Sequence, residues 1–455
     1  MHFQVYLIFY RYLCKNVRAM DERLERISRL NYWQGNHFDN GIERKLYLDR
    51  IMPFTGNRVI KVMTGQRRAG KSWLMRQIVT ELLDRKMAQP HQILYINKEY
   101  YRYKFLQTPD DLMDLYETYC REMNPKDKSF VFLDEIHNIQ GWEQAVDSLS
   151  QDPSINCEVF LTGSNSKLLS GELATLLSGR YVEFEVQPFS YLEYLRSQKI
   201  EEASRQTMVD YLRTGGLPEF LNLKGEETRR NYVEAVKNTI LLKDIVERYK
   251  VKDVGLLERI FAFLVNNSSS LVSVANIVNY LNNESGRKDP KAKKENHDTV
   301  SSYIGYLRDT YLMLKADRYD VKGKEILKGA AKYYANDNCY HNYLYEGYGY
   351  GQGSLLENYV YQALRRAGYH IYVGKMQNAE IDFVCIRHDQ RLYVQSSWTL
   401  DEDTPAKREY KALDAIPDSY PKLIVTMDDI PRMNYNGIEN VQAWKLEERL
   451  VALAR

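Results

Sequence analysis

The stretch Gly65-Gln66-Arg67-Arg68-Ala69-Gly70-Lys71-Ser72 fits G-x-x-x-x-G-K-[ST] at every fixed position. Its flanks narrow the reading. Val59-Ile60-Lys61-Val62-Met63 before it is short, apolar and β-branched, which predicts a buried strand. From Ser72 to about Leu83, the residues Leu74, Met75, Ile78, Val79, Leu82 and Leu83 recur at helical spacing. Strand, glycine loop and helix form a phosphate cradle: loop N–H groups curl around phosphate oxygens and the helix N-terminus adds its positive dipole end. In this reading Gly65, Gln66, Arg67, Arg68, Ala69 and Gly70 wrap the phosphates of ATP, and Trp73 closes the nucleotide-side set. Lys71 reaches the β- and γ-phosphates, and Ser72 places its hydroxyl on Mg²⁺.

The chain is long enough, at 455 residues, for about three domains of roughly 150 residues each. Lys+Arg 63 against Asp+Glu 61 gives a net charge of only +2, so whole-chain charge does not argue for nucleic-acid binding. Cys14, Cys120, Cys157, Cys339 and Cys385 are scattered without a C-x-x-C pair, which fits a reducing, cytoplasmic setting. The 37 tyrosines read as packing residues. Phe3 to Tyr10 is apolar, but Arg11, Lys15 and Arg18 follow too soon for a span of about 20 apolar residues. The expectation is a soluble protein, with Met20 the more natural start and residues 1–19 an extension.

Further strands are expected at Gln92–Asn97, Ser129–Leu133 and Glu158–Thr162, with helices near Asp110–Met123 and from Gly141. Alternation predicts a parallel α/β sheet with the motifs at strand C-terminal ends. The third strand ends in Asp134-Glu135, an acidic pair downstream of a phosphate loop. Asp134 is expected to hold Mg²⁺, and Glu135 to orient and deprotonate the attacking water. Asn165, after the fourth strand, is expected to sense the γ-phosphate or the water; the alternative is an asparagine in a turn. Arg180 reads either as a finger reaching a neighbouring subunit's nucleotide or as a surface ion-pair partner.

The ordered set G-Q-R-R-A-G-K-S, F-V-F-L-D-E-I-H-N, L-T-G-S-N-S, L-S-G-R, Q-P-F-S-Y-L-E-Y and G-G-L-P-E-F resembles a prokaryotic AAA+-type ATPase family. Its members carry a C-terminal domain of unknown function related to restriction-type nucleases. The resemblance runs from about Leu24 to the end and implies ATP binding and hydrolysis with no established cellular role; the expectation is a molecular switch or motor, and the alternatives are a nucleic-acid-processing ATPase with a residually active nuclease domain or an ATP-binding module without turnover. The chain is also similar to signal-transducing ATPases, in which a Gly-x-Pro motif touches the adenine; Gly216-Leu217-Pro218 matches, which implies nucleotide contact at Pro218, the alternative being a helix-ending Gly-Gly turn followed by Pro.

The expected domains are an ATPase domain over 20–190, a helical and winged-helix-like region over 191–343 and a nuclease-like domain over 344–455. Leu256–Val265, Val272–Leu281 (capped by Ser270) and Asp298–Leu312 read as three helices, followed by a ribbon of Leu314–Asp317 and Lys324–Leu327. A charged insert, Glu284–Glu295, separates the second and third helices. Such a module either lays its third helix in DNA or serves packing; Ser301, Ser302, Tyr303 and Arg308 make no rich basic face. The last domain looks like the PD-(D/E)xK core. Glu357 and Asp382 match its metal carboxylates, but Gln395-Ser396-Ser397 stands where the pattern wants Glu and Lys. Glu380, on the same strand face as Asp382, is a partial substitute carboxylate. The expectation is a nuclease-like fold with impaired catalysis.

Overall fold

A computed structural model describes residues 20–453, apart from 167–176, 178, 289–293, 346–350, 377–378, 401–402, 431 and 433. The extension before Met20, Leu176 and Ser178 of the Arg180 loop, and the middle of the charged insert therefore lie outside the described residues. The chain divides into two compact units. One holds the described residues of Met1–Thr64, Lys71–Gly163 and Leu168–Phe184; the other holds those of Gly65–Gly70, Ser164–Lys167 and Glu185–Arg455.

In the first unit, β1 (Ile60–Thr64), β2 (Ile93–Asn97), β3 (Ser129–Asp134), β4 (Cys157–Gly163) and β5 (Tyr181–Glu185) form a five-stranded sheet in the order β2-β3-β4-β1-β5. The pairs β2–β3, β3–β4 and β4–β1 are parallel. Every residue of β1 to β4 is buried. That is why these strands are continuous apolar runs rather than alternating ones: a parallel sheet is covered on both faces. Helix Lys71–Asp84 buries Leu74, Met75, Ile78, Val79 and Leu82. Helix Pro109–Met123 is started by Thr108 and Asp111 in a capping box with Pro109 in its first turn. Its Leu112 and Leu115 join Trp142, Val146 and Leu149 of helix Trp142–Gln151 in a core with Val131, Leu133, Val159 and Leu161.

The second unit carries β6 (Leu271–Val272), β7 (Met313–Asp320), β8 (Glu325–Ala335), β9 (His370–Lys375), β10 (Glu380–Arg387), β11 (Gln390–Ser397), β12 (Lys422–Thr426) and β13 (Ile438–Gln442). They make one mixed sheet in the order β13-β12-β11-β10-β9-β7-β8-β6. The ribbon strands β7 and β8 are antiparallel, and β7 pairs in parallel with β9. The ribbon expected after the three helices is longer than its sequence pattern suggested: β7 pairs with β9 over Arg318–Asp320, while the first half of β8 stays largely exposed. Helices Val254–Asn266, Val274–Lys288 and His297–Asp309 precede it. The second of these is capped by Ser273, whose hydroxyl accepts the Asn276 N–H at 3.1 Å, not by Ser270. Ser270 instead sits in a turn, its N–H bonded to Asn267 O. Within Q-P-F-S-Y-L-E-Y, Ser190 and Glu193 form a reciprocal capping box for helix Tyr191–Ser197. No helix among the described residues is long and apolar enough to cross a membrane. Cys120, Cys157, Cys339 and Cys385 carry free thiols.

Candidate functional site

The parallel sheet brings Lys71, Ser72, Asp134 and Glu135 together within the first unit. Lys71 and Ser72 open the helix after β1, and Asp134 ends β3. Strand β4 lies between β1 and β3, so its end reaches both. The Thr162 hydroxyl on β4 donates to Asp134 Oδ1 at 2.6 Å and accepts the Glu135 N–H at 2.9 Å. Asp134 Oδ2 accepts from Asn97 Nδ2 at 2.7 Å and Tyr95 OH at 3.0 Å, and Ser72 adds a further side-chain hydrogen bond. Burial raises the Asp134 carboxyl above the ordinary range, as does the Glu135 charge; the bonds from Thr162, Ser72 and Tyr95 pull against them. Glu135 itself is left-handed, at φ 53 and ψ 44, which turns its side chain sharply out of the strand line. Its Oε1 lies 3.9 Å from Lys71 Nζ, and its Oε2 lies 3.4 Å from His137 Nδ1. Tyr95, Asn97, Thr162 and His137 carry no role in the sequence reading. Their shared signal is position: Asn97 and Thr162 lie at strand C-terminal ends, Tyr95 two residues before the end of β2, and His137 just beyond β3.

Gly65–Gly70 group with the second unit. Gly65 has φ +138, and a Cβ there would lie 2.1 Å from Val186 O, so only glycine permits that approach. Arg68 and Gly70 also have positive φ. Ala69 is buried and its N–H closes a turn onto Gln66 O at 3.2 Å. Gln66 bonds Tyr340 and Asn336. Arg67 makes a two-pronged bond to Asp244, at 3.1 and 3.0 Å. Trp73, in the first unit, is 39 % exposed and faces Gly41 and the Arg76 guanidinium. Asn165 donates to Tyr249 OH at 3.4 Å. Arg180 lies 3.7 Å from Asp147. Pro218 opens the short helix Pro218–Leu221, behind a Gly215 with φ +74.

A second cluster lies on the mixed sheet. Lys332 of β8 points its Nζ at Glu380 (2.9 Å), Glu357 (3.0 Å) and Asp382 (3.4 Å), with only 5 % of its side chain exposed. Tyr334 OH donates to Glu357 at 2.8 Å. An ammonium thus stands among these carboxylates, brought by a different strand from β10 and β11. The sequence reading missed it because Lys332 is 65 positions upstream of Ser397, past the end of the expected ribbon at Leu327 and in a stretch given no element. Asp382 Oδ2 accepts the N–H and hydroxyl of Ser396 at 2.9 and 3.1 Å. Gln395 accepts the Asp382 N–H at 2.7 Å and donates to Glu409 at 2.5 Å. The cluster faces a cavity of about 1050 Å³ that Lys322, Arg408 and Lys411 also line.

Burial pulls the Lys332 ammonium down, but the charges of Asp382, Glu357 and Glu380 hold it above the usual lysine value. Three carboxylates then share one ammonium. Burial, then the Asp382 charge, pushes Glu357 up to about 8, against the pull of Lys332 and Tyr334. A raised carboxyl contributes stability below its unfolded value and loses it as pH rises through the folded one. Wild type should therefore lose stability relative to Glu357→Gln between about pH 4.5 and about pH 8. Urea midpoints across that window check this, and a gap between the two proteins that does not change with pH refutes it.

Comparison with known protein families matches residues 57–195 to the AAA domain and residues 205–346 to a domain of unknown function, DUF8612. With the five-stranded sheet, the first match defines the class: this is an AAA-type P-loop ATPase domain with a mixed α/β region after it. The chain is 34 % identical over 411 residues to an uncharacterized protein of Haemophilus influenzae, an alignment covering 89 % of this chain and 99 % of that protein. The chain belongs to that protein's family. It is also 28 % identical over 370 residues to the uncharacterized protein MJ1544 of Methanocaldococcus jannaschii, covering 78 % of this chain and 77 % of that one. Among solved structures, Cdc6p of Pyrobaculum aerophilum aligns at 12 % identity and a TM-score of 0.27, over 69 % of this chain and 90 % of that one.

Proposed function

We propose that this protein binds and hydrolyses ATP and uses the cycle as a molecular switch or motor. The observation that carries this is the gathering of Lys71, Ser72, Asp134 and Glu135 where β1 and β3 end on either side of β4, with Lys71 Nζ 3.9 Å from Glu135 Oε1. Lys71 binds phosphate, and Glu135 holds the attacking water and takes its proton as the γ-phosphate leaves ADP. Ser72 and Asp134 are already hydrogen-bonded and offer the hard oxygens that Mg²⁺ requires, so the residues present fit that ion. When bound, Mg²⁺ supplies charge stabilisation to the phosphates. Gly65, Gln66, Arg67, Arg68, Ala69 and Gly70 supply the loop, Asn165 the sensor, and Trp73 and Pro218 outer contacts to the nucleotide. Lys71→Ala should abolish binding of ATP, read by isothermal titration calorimetry; unchanged affinity would remove the assignment.

Arg180 belongs to this reading as a finger supplied to a neighbouring copy in a homo-oligomer, for which its half-exposed position near Asp147 is suited. Arg180→Ala and Lys71→Ala subunits should each be inactive alone and regain part of the wild-type turnover when mixed. Absence of rescue in verified mixed assemblies would exclude a finger acting between copies. The free cysteines suit a cytoplasmic setting.

The helix–helix–helix–ribbon order of 254–335 follows a winged-helix plan, which we assign to packing rather than to DNA. The region after it we read as a nuclease-like fold whose catalysis is lost. In the nuclease scheme Mg²⁺ would sit among Glu357, Glu380 and Asp382. Lys332 Nζ stands there instead, within 3.4 Å of all three, and an ammonium and a dication do not share one position. The residues do not fit that ion. Plasmid DNA incubated with Mg²⁺ or Mn²⁺, with and without ATP, should stay intact; cleavage that Asp382→Ala abolishes would overturn this.

A further inference from the structure

Gln66 is fully buried, and both ends of its side-chain amide are taken by residues about 270 positions downstream. Its Nε2 donates to the Tyr340 hydroxyl, and its Oε1 accepts from Asn336 Nδ2 at 3.0 Å. Between these two, Asp337 is also buried. Its Oδ2 accepts the Gly216 N–H at 2.8 Å and its Oδ1 the Cys339 N–H at 2.8 Å. A Cβ on Gly215 would meet Asp337 Oδ1 at 1.7 Å, so the approach depends on glycine there. Asn336–Tyr340 thus grips two separate stretches, the phosphate loop and the Gly216-Leu217-Pro218 turn. The segment is itself clamped. Asn358 Nδ2 donates to Ala335 O at 3.0 Å and to Asn338 Oδ1 at 2.6 Å, and Gln362 donates to Ala335 O at 2.9 Å.

We propose that Asn336 and Tyr340 are positioning residues of the nucleotide site, acting through Gln66 to hold the phosphate loop in its binding shape. This rests on the ATP reading above. A loop whose second residue is tied at both ends of its amide presents its N–H groups without first being ordered, and that ordering cost is what preorganisation removes from binding. Removing the Tyr340 hydroxyl leaves Gln66 Nε2 buried and short of an acceptor, and the side chain then relaxes with the loop. The same segment continues β8, which carries Lys332 and Tyr334 eight and six residues before Tyr340. The sequence pattern gives no hint of the link, because Asn336-Asp337-Asn338 reads as a polar turn.

The test is equilibrium binding of methylanthraniloyl-labelled ATP with Mg²⁺ to the full chain, followed by fluorescence. Tyr340→Phe and Gln66→Met should each raise Kd about tenfold, and the double variant no further than about tenfold, since both remove one shared contact. The melting temperature of Tyr340→Phe without nucleotide should stay within about 4 °C of wild type, as for a loss near 1 kcal/mol. Wild-type binding that Lys71→Ala abolishes and Tyr340→Phe leaves unchanged overturns this proposal alone. Single effects that multiply in the double variant overturn it too, because they show Tyr340 acting independently of Gln66. A wild-type chain that binds no labelled ATP, or binds it equally after Lys71→Ala, overturns the ATP reading and this proposal with it.

Discussion

Replacing Glu135 with glutamine should leave ATP bound and slow its hydrolysis by about 10²-fold or more. Glutamine keeps the shape of the side chain and the bond to the Thr162 hydroxyl, which residue 135 makes with its backbone N–H. In the proposed mechanism it removes the carboxylate that would accept the water's proton. It also removes the negative charge beside Lys71 and His137, so the ammonium is freer to pair with phosphate. Nucleotide affinity should therefore stay level or rise while kcat falls. Single-turnover hydrolysis and calorimetric titration on one preparation separate the two. Hydrolysis at the wild-type rate would strip Glu135 of its role. A parallel loss of affinity would point to collapse of the loop rather than loss of a base.

Lys332→Met should cost about 3–5 kcal/mol of stability at neutral pH. The ammonium is buried against three carboxylates, and a methionine of similar length leaves those charges with no counter-ion. The cost falls mainly on Asp382, because the Glu357 carboxyl, pushed up to about 8, is largely protonated at neutral pH, and Glu380 is more than a third exposed and screened by water. Acid should recover much of the loss, because protonating the carboxylates removes the repulsion that Lys332 otherwise offsets. Chemical denaturation at pH 5 and pH 7.5 tests this. A variant as stable as wild type at both values would mean that the ion cluster does not hold this part of the sheet.

What could be read along the chain was what depends on neighbours in sequence. Strand, glycine loop and helix stand within 25 residues, and each has a local cause: β-branched runs for β1, positive φ for Gly65 and Gly70, helical spacing for Leu74 to Leu82. The strands β2, β3 and β4 were legible for the same reason, as short apolar runs buried on both faces. The acidic pair at the end of β3 was legible because its chemistry needs no partner to be recognised. The cap at Ser273 was misplaced by three residues, since both serines suit a cap and only the backbone path decides between them.

The sequence by itself determined the class of this protein: a parallel α/β ATPase domain, with Lys71, Ser72, Asp134 and Glu135 as its polar ends. Only the tertiary structure decided what those ends and the later region are joined to. Thr162 bridges Asp134 and Glu135 because β4 threads between β1 and β3. Tyr340 and Asn336 reach Gln66 across about 270 residues. Lys332 enters the carboxylate cluster because β7 pairs with β9 and so joins the ribbon to the later strands. The physical reason is common to all three. Hydrogen bonds and ion pairs act over about 3 Å whatever the separation along the chain. A pattern of residues shows which groups need partners, and the tertiary fold settles which partners they find.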